Sequence, residues 1–296
     1  MTATTQTTLD IIREKFDFTV DKFPLSGPDG MRTPKYGLFR SDNSEFVGDT
    51  VSGRYVPHTT DDVLAIVEAT QEVFDDCHAQ CHFRDGHYVN LAPSKDQRRI
   101  IFDNGKQADS IFPRLTIQAG FDGRAFSVWL GYFRDLCRNL SMMRSVQSTF
   151  VKIRHTSNLR ANMDELIAQF HGLQSGWDDL GDVIENMQSA PVRLGAFMDS
   201  VYGTPPASDG RALTIHKNRT EKIFKRVLDE RARSGRGELD DMYTVSAWEA
   251  FNAIQGYTQH DASRKNKAGG FDRIILANND AAVIKAEKLA VAAIAA

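Results

Sequence analysis

Two β-prone runs on either side of a glycine-bounded turn constrain this chain more than any other feature. Leu115-Thr116-Ile117 and Phe126-Ser127-Val128-Trp129-Leu130 are rich in β-branched and aromatic residues, and Gly120-Phe121-Asp122-Gly123 lies between them. That combination predicts a hairpin whose loop is longer than two residues. Leu115, Ile117, Phe126, Val128 and Leu130 alternate with smaller or polar residues, so one face of the hairpin is expected to be buried. Trp129 has the opposite parity and is expected on the more exposed face. Phe133, Leu136, Cys137, Leu140 and Met143 recur at three-to-four spacing, which predicts a helix from about Phe133. Phe150 to His155 reads as a third strand.

The charge of this stretch sets it apart. Arg114, Arg124, Arg134, Arg138, Arg144, Lys152, Arg154 and Arg160 face only Asp122 and Asp135, a net +6 in a chain whose total is −3. A second basic segment, Arg211 to Arg236, holds nine Lys/Arg against Glu221, Asp229 and Glu230. Ile223, Val227 and Phe224 give it one apolar stripe, so most of its charge must face solvent or a partner. Between the two, Asp164, Glu165, Asp178, Asp179, Asp182, Glu185 and Asp199 make an acidic, helical region. Concentrated positive charge in an acidic protein is an electrostatic footprint for a polyanion. The alternative is a set of ordinary solvated faces with each charge paired locally.

Several short motifs in and around the hairpin are arranged as in a known family. They are Asp122-Gly123 at the turn, Arg134/Cys137/Asn139, Arg154-His155-Thr156, Val51-Ser52-Gly53-Arg54-Tyr55-Val56-Pro57 upstream, and Thr244/Trp248/Asn252-Ala253 downstream. In this order they resemble a family of phage- and plasmid-encoded proteins defined only as a domain of unknown function. Leu140 departs from its pattern, in which a small or polar residue often follows the Asn. The chain is also similar to phage single-strand annealing proteins of the RecT, Erf and Rad type, which are built on a hairpin-and-helix core. The resemblance implies a phage-encoded protein working in the host cytoplasm.

With 296 residues, 41% hydrophobic and 25% charged, the chain has ordinary globular composition and length for one large core or two modest ones. No apolar run approaches the roughly 18 residues of a membrane span. The polar start lacks the features of a secretory signal. Three cysteines, Cys77, Cys81 and Cys137, cannot all pair, which excludes a disulfide scaffold. These points suggest a cytosolic protein.

Hairpins first and helices later predict an α+β fold: an antiparallel sheet packed on helices, then a mainly helical C-terminal half. A short helix is expected after the N-terminal tail. Lys35–Arg40 and Phe46–Val51 read as a strand pair. Thr59 or Thr60 is positioned to cap a helix that carries Val63, Ile66, Val67, Phe74, Cys77 and Cys81 on one stripe and ends near Asp85. His87–Leu91 and Arg99–Phe102 read as strands, with a turn at Asn104-Gly105. Pro191 is expected to open a helix. Ser246 and Glu249 form a capping box for a helix containing Trp248, Phe251 and Ile254. A last alanine-rich helix begins near Asn279-Asp280. The expected division is an α+β core domain over 1–158 and a mainly helical region over 159–296, with a linker at 203–210.

Cys77, His78, Cys81 and His82 form the sharpest metal-like cluster, because on a helix each i,i+4 pair offers two ligands on one face. The competing reading is that both cysteines extend the apolar stripe. Asp178, Asp179, Asp182 and Glu185 could be assembled into a divalent-metal nuclease site, although such spacing also suits a solvated helix face. P-loop, dinucleotide, G-x-S-x-G and H-E-x-x-H motifs are absent from the sequence.

Polyanion binding is therefore the leading expectation. Lys and Arg displace condensed counterions from phosphates, and aromatic rings stack on unpaired bases. The expected nucleic-acid contacts are Arg124, Trp129, Arg134, Arg138, Arg144, Lys152, Arg154, His155, Lys217, Arg219 and Lys222. The expectation is a stoichiometric single-stranded-DNA-binding protein of the annealing or recombination-mediator type, without a cofactor, acting as a ring or filament of identical subunits. Acidic 164–199 would meet basic 211–236 of a neighbouring copy. The alternatives are a purely self-assembling structural protein and a metal-dependent nuclease.

Overall fold

The computed structural model describes residues 7–83, 85–121, 126–144, 150–153, 155, 171–207, 210–262 and 277–295. The fold is α+β. Strands β1 (Val20–Ser26), β2 (Arg32–Arg40) and β3 (Val51–Ser52) form a three-stranded antiparallel sheet in that order. A seven-stranded sheet contains β4 (Cys77–Phe83), β5 (Gly86–Pro93), β6 (Arg99–Phe102), β7 (Asp109–Gly120), β8 (Phe126–Arg134), β9 (Asn139–Met142) and β10 (Phe150–Ile153). Its order is β10-β8-β7-β5-β4, with β6 added to β7 and β9 added to β8. Helices α1 (Thr8–Lys15) and α2 (Thr60–Phe74) precede it in the chain. After it come α3 (His171–Ser189), α4 (Leu194–Tyr202), α5 (Arg211–Ser234), α6 (Ala247–Gly256) and α7 (Ala281–Ala292). A two-stranded pair, β11 (Pro191–Arg193) and β12 (Thr244–Ser246), lies among these helices in sequence.

The chain divides into two compact units, each gathered from several stretches. The first comprises Met1–Gln97, Pro113–Leu130 and Ser148–Trp177, and the second Arg98–Phe112, Gly131–Gln147 and Asp178–Ala296. Strands β7 and β8 each contribute one end to each unit. The division therefore alternates along the sequence instead of falling at one point such as residue 158.

In the first unit α2 begins with a capping box, Thr59 bonding the backbone N–H of Asp62 and Asp62 returning to Thr59. Its buried face is Val63, Leu64, Ile66, Val67, Ala69, Thr70 and Phe74. The helix stops at Asp75, whose φ of 59° takes the chain out of the helical ladder. The expectation of a helix to Asp85 is corrected here: Cys77–Phe83 is a strand, paired residue for residue with β5 from Cys77↔Pro93 to Phe83↔His87. Spacing of four satisfies period two as well as period 3.6, so Cys77 and Cys81 fitted either element. β2 likewise takes β1 as its main partner, while Phe46 meets it through a single bridge to Phe39.

In the second unit the helix expected from Phe133 is replaced by a hairpin. β8 runs through Arg134, residues 135–138 turn, and β9 returns with Arg134↔Asn139 to Gly131↔Met142 in register. Arg138 makes the turn at φ 59°. Leu136 and Cys137 point into the core from this loop, which is why their spacing imitates a helix face. Pro191 opens β11, not a helix, because Pro191–Arg193 pairs antiparallel with Thr244–Ser246. Every residue of α6 is buried, the signature of a central core helix. Ser246 and Glu249 cap it as the sequence predicts.

Candidate functional site

The second unit encloses a chain of buried ion pairs. Arg134, with no solvent exposure, donates Nε to Asp109 Oδ1 at 2.7 Å, Nη2 to Asp109 Oδ2 at 2.8 Å and Nη1 to Glu230 Oε2 at 2.7 Å. Arg236 Nη2 and Trp248 Nε1 donate to the same Asp109 Oδ2, at 2.9 and 3.2 Å. Arg231 Nη1 bridges both oxygens of Glu249. Three arginines thus face three carboxylates, and the network is neutral. A planar, five-donor guanidinium suits this geometry, and lysine could not replace its fork. Burial alone raises the Asp109 carboxyl, yet the Arg134 and Arg236 guanidiniums hold it below its ordinary range. Beside it, Asn139 donates to Asn252 O, and Gln259 both accepts from Leu140 N and donates to Leu140 O.

The first unit has a different polar centre, made of rings. His58 Nε2 and His87 Nδ1 lie 2.7 Å apart, and His155 stacks on Tyr55 with centroids at 4.9 Å. His58 also stacks on Phe121 at 4.2 Å, and Phe16 meets His87 edge-on at 4.4 Å. Burial keeps His58 and His87 neutral: His58 is pushed well below its usual value, and His87 falls to about 3.

Helix α5 provides the exposed charge. Arg211, Lys217, Lys222, Lys225 and Arg233 are solvent-exposed, while Ile223, Val227, Glu230 and Ser234 are buried. At 3.6 residues per turn, Arg211, Lys222, Lys225 and Arg233 fall within an arc of about 80° and extend along about 33 Å of helix. Asp229 interrupts that stripe. Gly235 ends the helix in the left-handed conformation, φ 73°.

The residues expected to touch nucleic acid are dispersed by these environments. Arg134 is withdrawn from that role, since its guanidinium is sealed in the core by Asp109 and Glu230. Trp129 is 9% exposed and His155 6%, so neither offers a ring to a base. Trp129 is covered despite its parity because nearly all of β8, on both faces, is buried. Arg144 is engaged by Asn278 O and Asn279 Oδ1. Arg219 lies over the Tyr202 ring at 3.8 Å. Arg138, Lys152, Lys217 and Lys222 remain exposed. Arg124 and Arg154 lie outside the described residues, as do Asp164 and Glu165.

The metal readings fare differently. With Cys77–Phe83 a strand, Cys77 and Cys81 project to the face opposite His78 and His82. Burial raises the thiols to about 12 and about 11, which disfavours the thiolate that a metal needs. Asp182 and Glu185 are both held by Arg99, at 3.1 and 2.7 Å. Among the described residues no group of three or more His, Cys, Asp or Glu is placed to hold a metal ion.

Sequence reasoning missed Asp109, Glu230 and Arg236 as members of one network. Its short motifs nevertheless meet in space: Arg134 lies over the Trp248 ring at 5.2 Å, and Asn139 bonds the Asn252 carbonyl. In the first unit Tyr55 and His155 join two further motifs. Each pair lies within the core of its own unit.

The fold and these centres define an α+β protein with two buried polar hearts and a basic helical face. The chain belongs to the family described as Domain of unknown function (DUF932), whose model matches residues 48–282. No curated protein and no solved structure matches it. No helix among the described residues is long and apolar enough to cross a membrane.

Proposed function

We propose that this protein binds single-stranded nucleic acid stoichiometrically, in the manner of an annealing or recombination-mediator protein, and that α5 is its principal phosphate-contacting element. The observation that carries this reading is the run of exposed cations on α5, in a molecule where Arg134 and Arg144 of the central segment are already engaged. A solvated basic stripe about 33 Å long spans several phosphates of an extended strand. Arg138, exposed in the same unit, would add to it.

Exposed Asp178 and Asp179 on α3 and the basic stripe of α5 have complementary charge, which supports association of identical subunits. Binding to a fluorescent oligothymidylate, measured by anisotropy at several salt concentrations, tests the reading. Wild-type protein should bind in low salt and release as salt rises. Affinity unaffected by salt, or by Lys222→Gln with Lys225→Gln, overturns it. Light scattering with and without the oligonucleotide separates a strand binder from a protein that only self-assembles.

A further inference from the structure

A cleft of about 320 Å³ opens on the second unit, between the end of α3, the β11–β12 pair, Phe102 of β6 and the chain after α5. The residues that give it chemistry are Phe102, Gln188, Arg231, Arg236, Ser246 and Glu249. Arg236 has a side chain only 5% exposed. Its Nη2 donates to Asp109 and its Nη1 to Ser234 Oγ, and its guanidinium lies over the Phe102 ring at 4.3 Å. Its Nε is buried with no hydrogen-bond partner, at 3.8 Å from Glu249 Oε1. A buried N–H with no acceptor in hydrogen-bond range is costly, and in the wall of a cleft it is a donor that a ligand oxygen can satisfy.

Two neighbouring groups, Arg231 and Gln188, add further donors. Arg231 commits Nε to Gly237 O and Nη1 to Glu249, which leaves Nη2 as a donor. Gln188 accepts from Ser246 Oγ through Oε1, so its amide N–H groups are directed elsewhere. The ten-residue helix α6 begins at this cleft with Ser246 and Glu249, and its N-terminal dipole favours negative charge. Glu249 is already engaged by Arg231 and by the backbone N–H of Ser246. Several donors lining one cleft match a phosphate better than a carboxylate, and guanidiniums are suited to phosphate oxygens. Phe102, backed by Arg236, supplies a flat apolar wall.

We propose that this cleft binds a phosphate monoester carried on a nucleoside, either a free nucleotide or the terminal phosphate of a strand. Its size admits one such unit. The inference does not depend on the role given to α5.

Isothermal titration of the full chain with thymidine monophosphate, thymidine and inorganic phosphate tests it. The monophosphate should bind, and thymidine should bind at least ten-fold more weakly. Gln188→Glu places a negative charge in the cleft while keeping an acceptor for Ser246, and should weaken the monophosphate at least ten-fold without lowering the melting temperature. Glu249→Gln, which keeps an acceptor for the helix cap, should tighten it. Equal binding of thymidine and its monophosphate, inorganic phosphate binding as tightly as the monophosphate, or unchanged affinity in Gln188→Glu overturns the proposal. Oligothymidylates with and without a 5′-phosphate identify the source: preference for the phosphorylated strand assigns the cleft to strand ends, and indifference assigns it to free nucleotide. Lys222→Gln with Lys225→Gln should leave monophosphate binding unchanged, so this site and the α5 reading fail separately.

Discussion

Arg134 shows how completely one side chain can reverse its apparent meaning. In the sequence it is one of eight cations in a basic stretch; in the fold it is the hub of a neutral buried network. Removing it leaves Glu230 without its counter-charge and Asp109 with Arg236 alone. Arg134→Ala should therefore destabilise the protein by about 3–5 kcal/mol, read from urea unfolding, because an uncompensated buried charge is left behind. A loss below about 1 kcal/mol would mean that the network contributes little. The histidines of the first unit give a second prediction. His87 titrates at about 3 when folded and near 6.5 when unfolded, and His58 is lowered in the same direction. The unfolded state thus takes up protons first as pH falls below about 6.5, and stability declines from there down toward the folded values. Each such group steepens the loss by up to about 1.4 kcal/mol per pH unit. Chemical denaturation between pH 7 and 4 should show this slope, and His58→Asn with His87→Asn should flatten it.

At the scale of elements, the sequence was most legible where local chemistry decides. The capping boxes at Thr59/Asp62 and Ser246/Glu249 rest on contacts three residues apart, and both are present. The alanine-rich last helix starts at Asp280, whose side chain accepts from the N–H of Ala282. Legibility failed where a pattern served two geometries. Cys77 and Cys81 are four apart, which suits one face of a helix or of a strand, and the left-handed-side φ of Asp75 that decides between them leaves no hydrophobic signature. The β8–β9 turn misled for a similar reason, since an inward-facing loop mimics a helical stripe. The basic segment of α5 was legible as a helix with one apolar stripe, so its prediction is the sharpest. For single strands each phosphate contact contributes about 0.7 to the slope of log affinity against log salt. Lys222→Gln with Lys225→Gln should lower that slope by about 1.4, measured by salt titration. An unchanged slope would remove both lysines from the interface.

For the whole molecule, the site was hard to read because its partners are remote in sequence. Asp109 and Trp248 are 139 positions apart, and Arg134 and Glu230 are 96 apart. No window of periodicity connects such residues, and charge counts cannot show that Arg134 is neutralised in the core. A fragment of residues 1–158 keeps Arg134 and Asp109 but lacks Glu230, Arg236 and Trp248, and it strips β9 of Asn252, Gln259 and Asn278. It should fail to unfold cooperatively in a calorimeter, whereas the full chain should show a defined transition. The alternation of chain stretches between units also has a temporal consequence. The first unit has all its segments once residue 177 has been synthesised, but the second needs chain up to α7. On a translating ribosome the Asp109–Arg134 pair and the polar edge of β9 must therefore wait, half-assembled, for more than a hundred further residues to emerge. Over that interval the nascent protein is open to aggregation and to capture by chaperones.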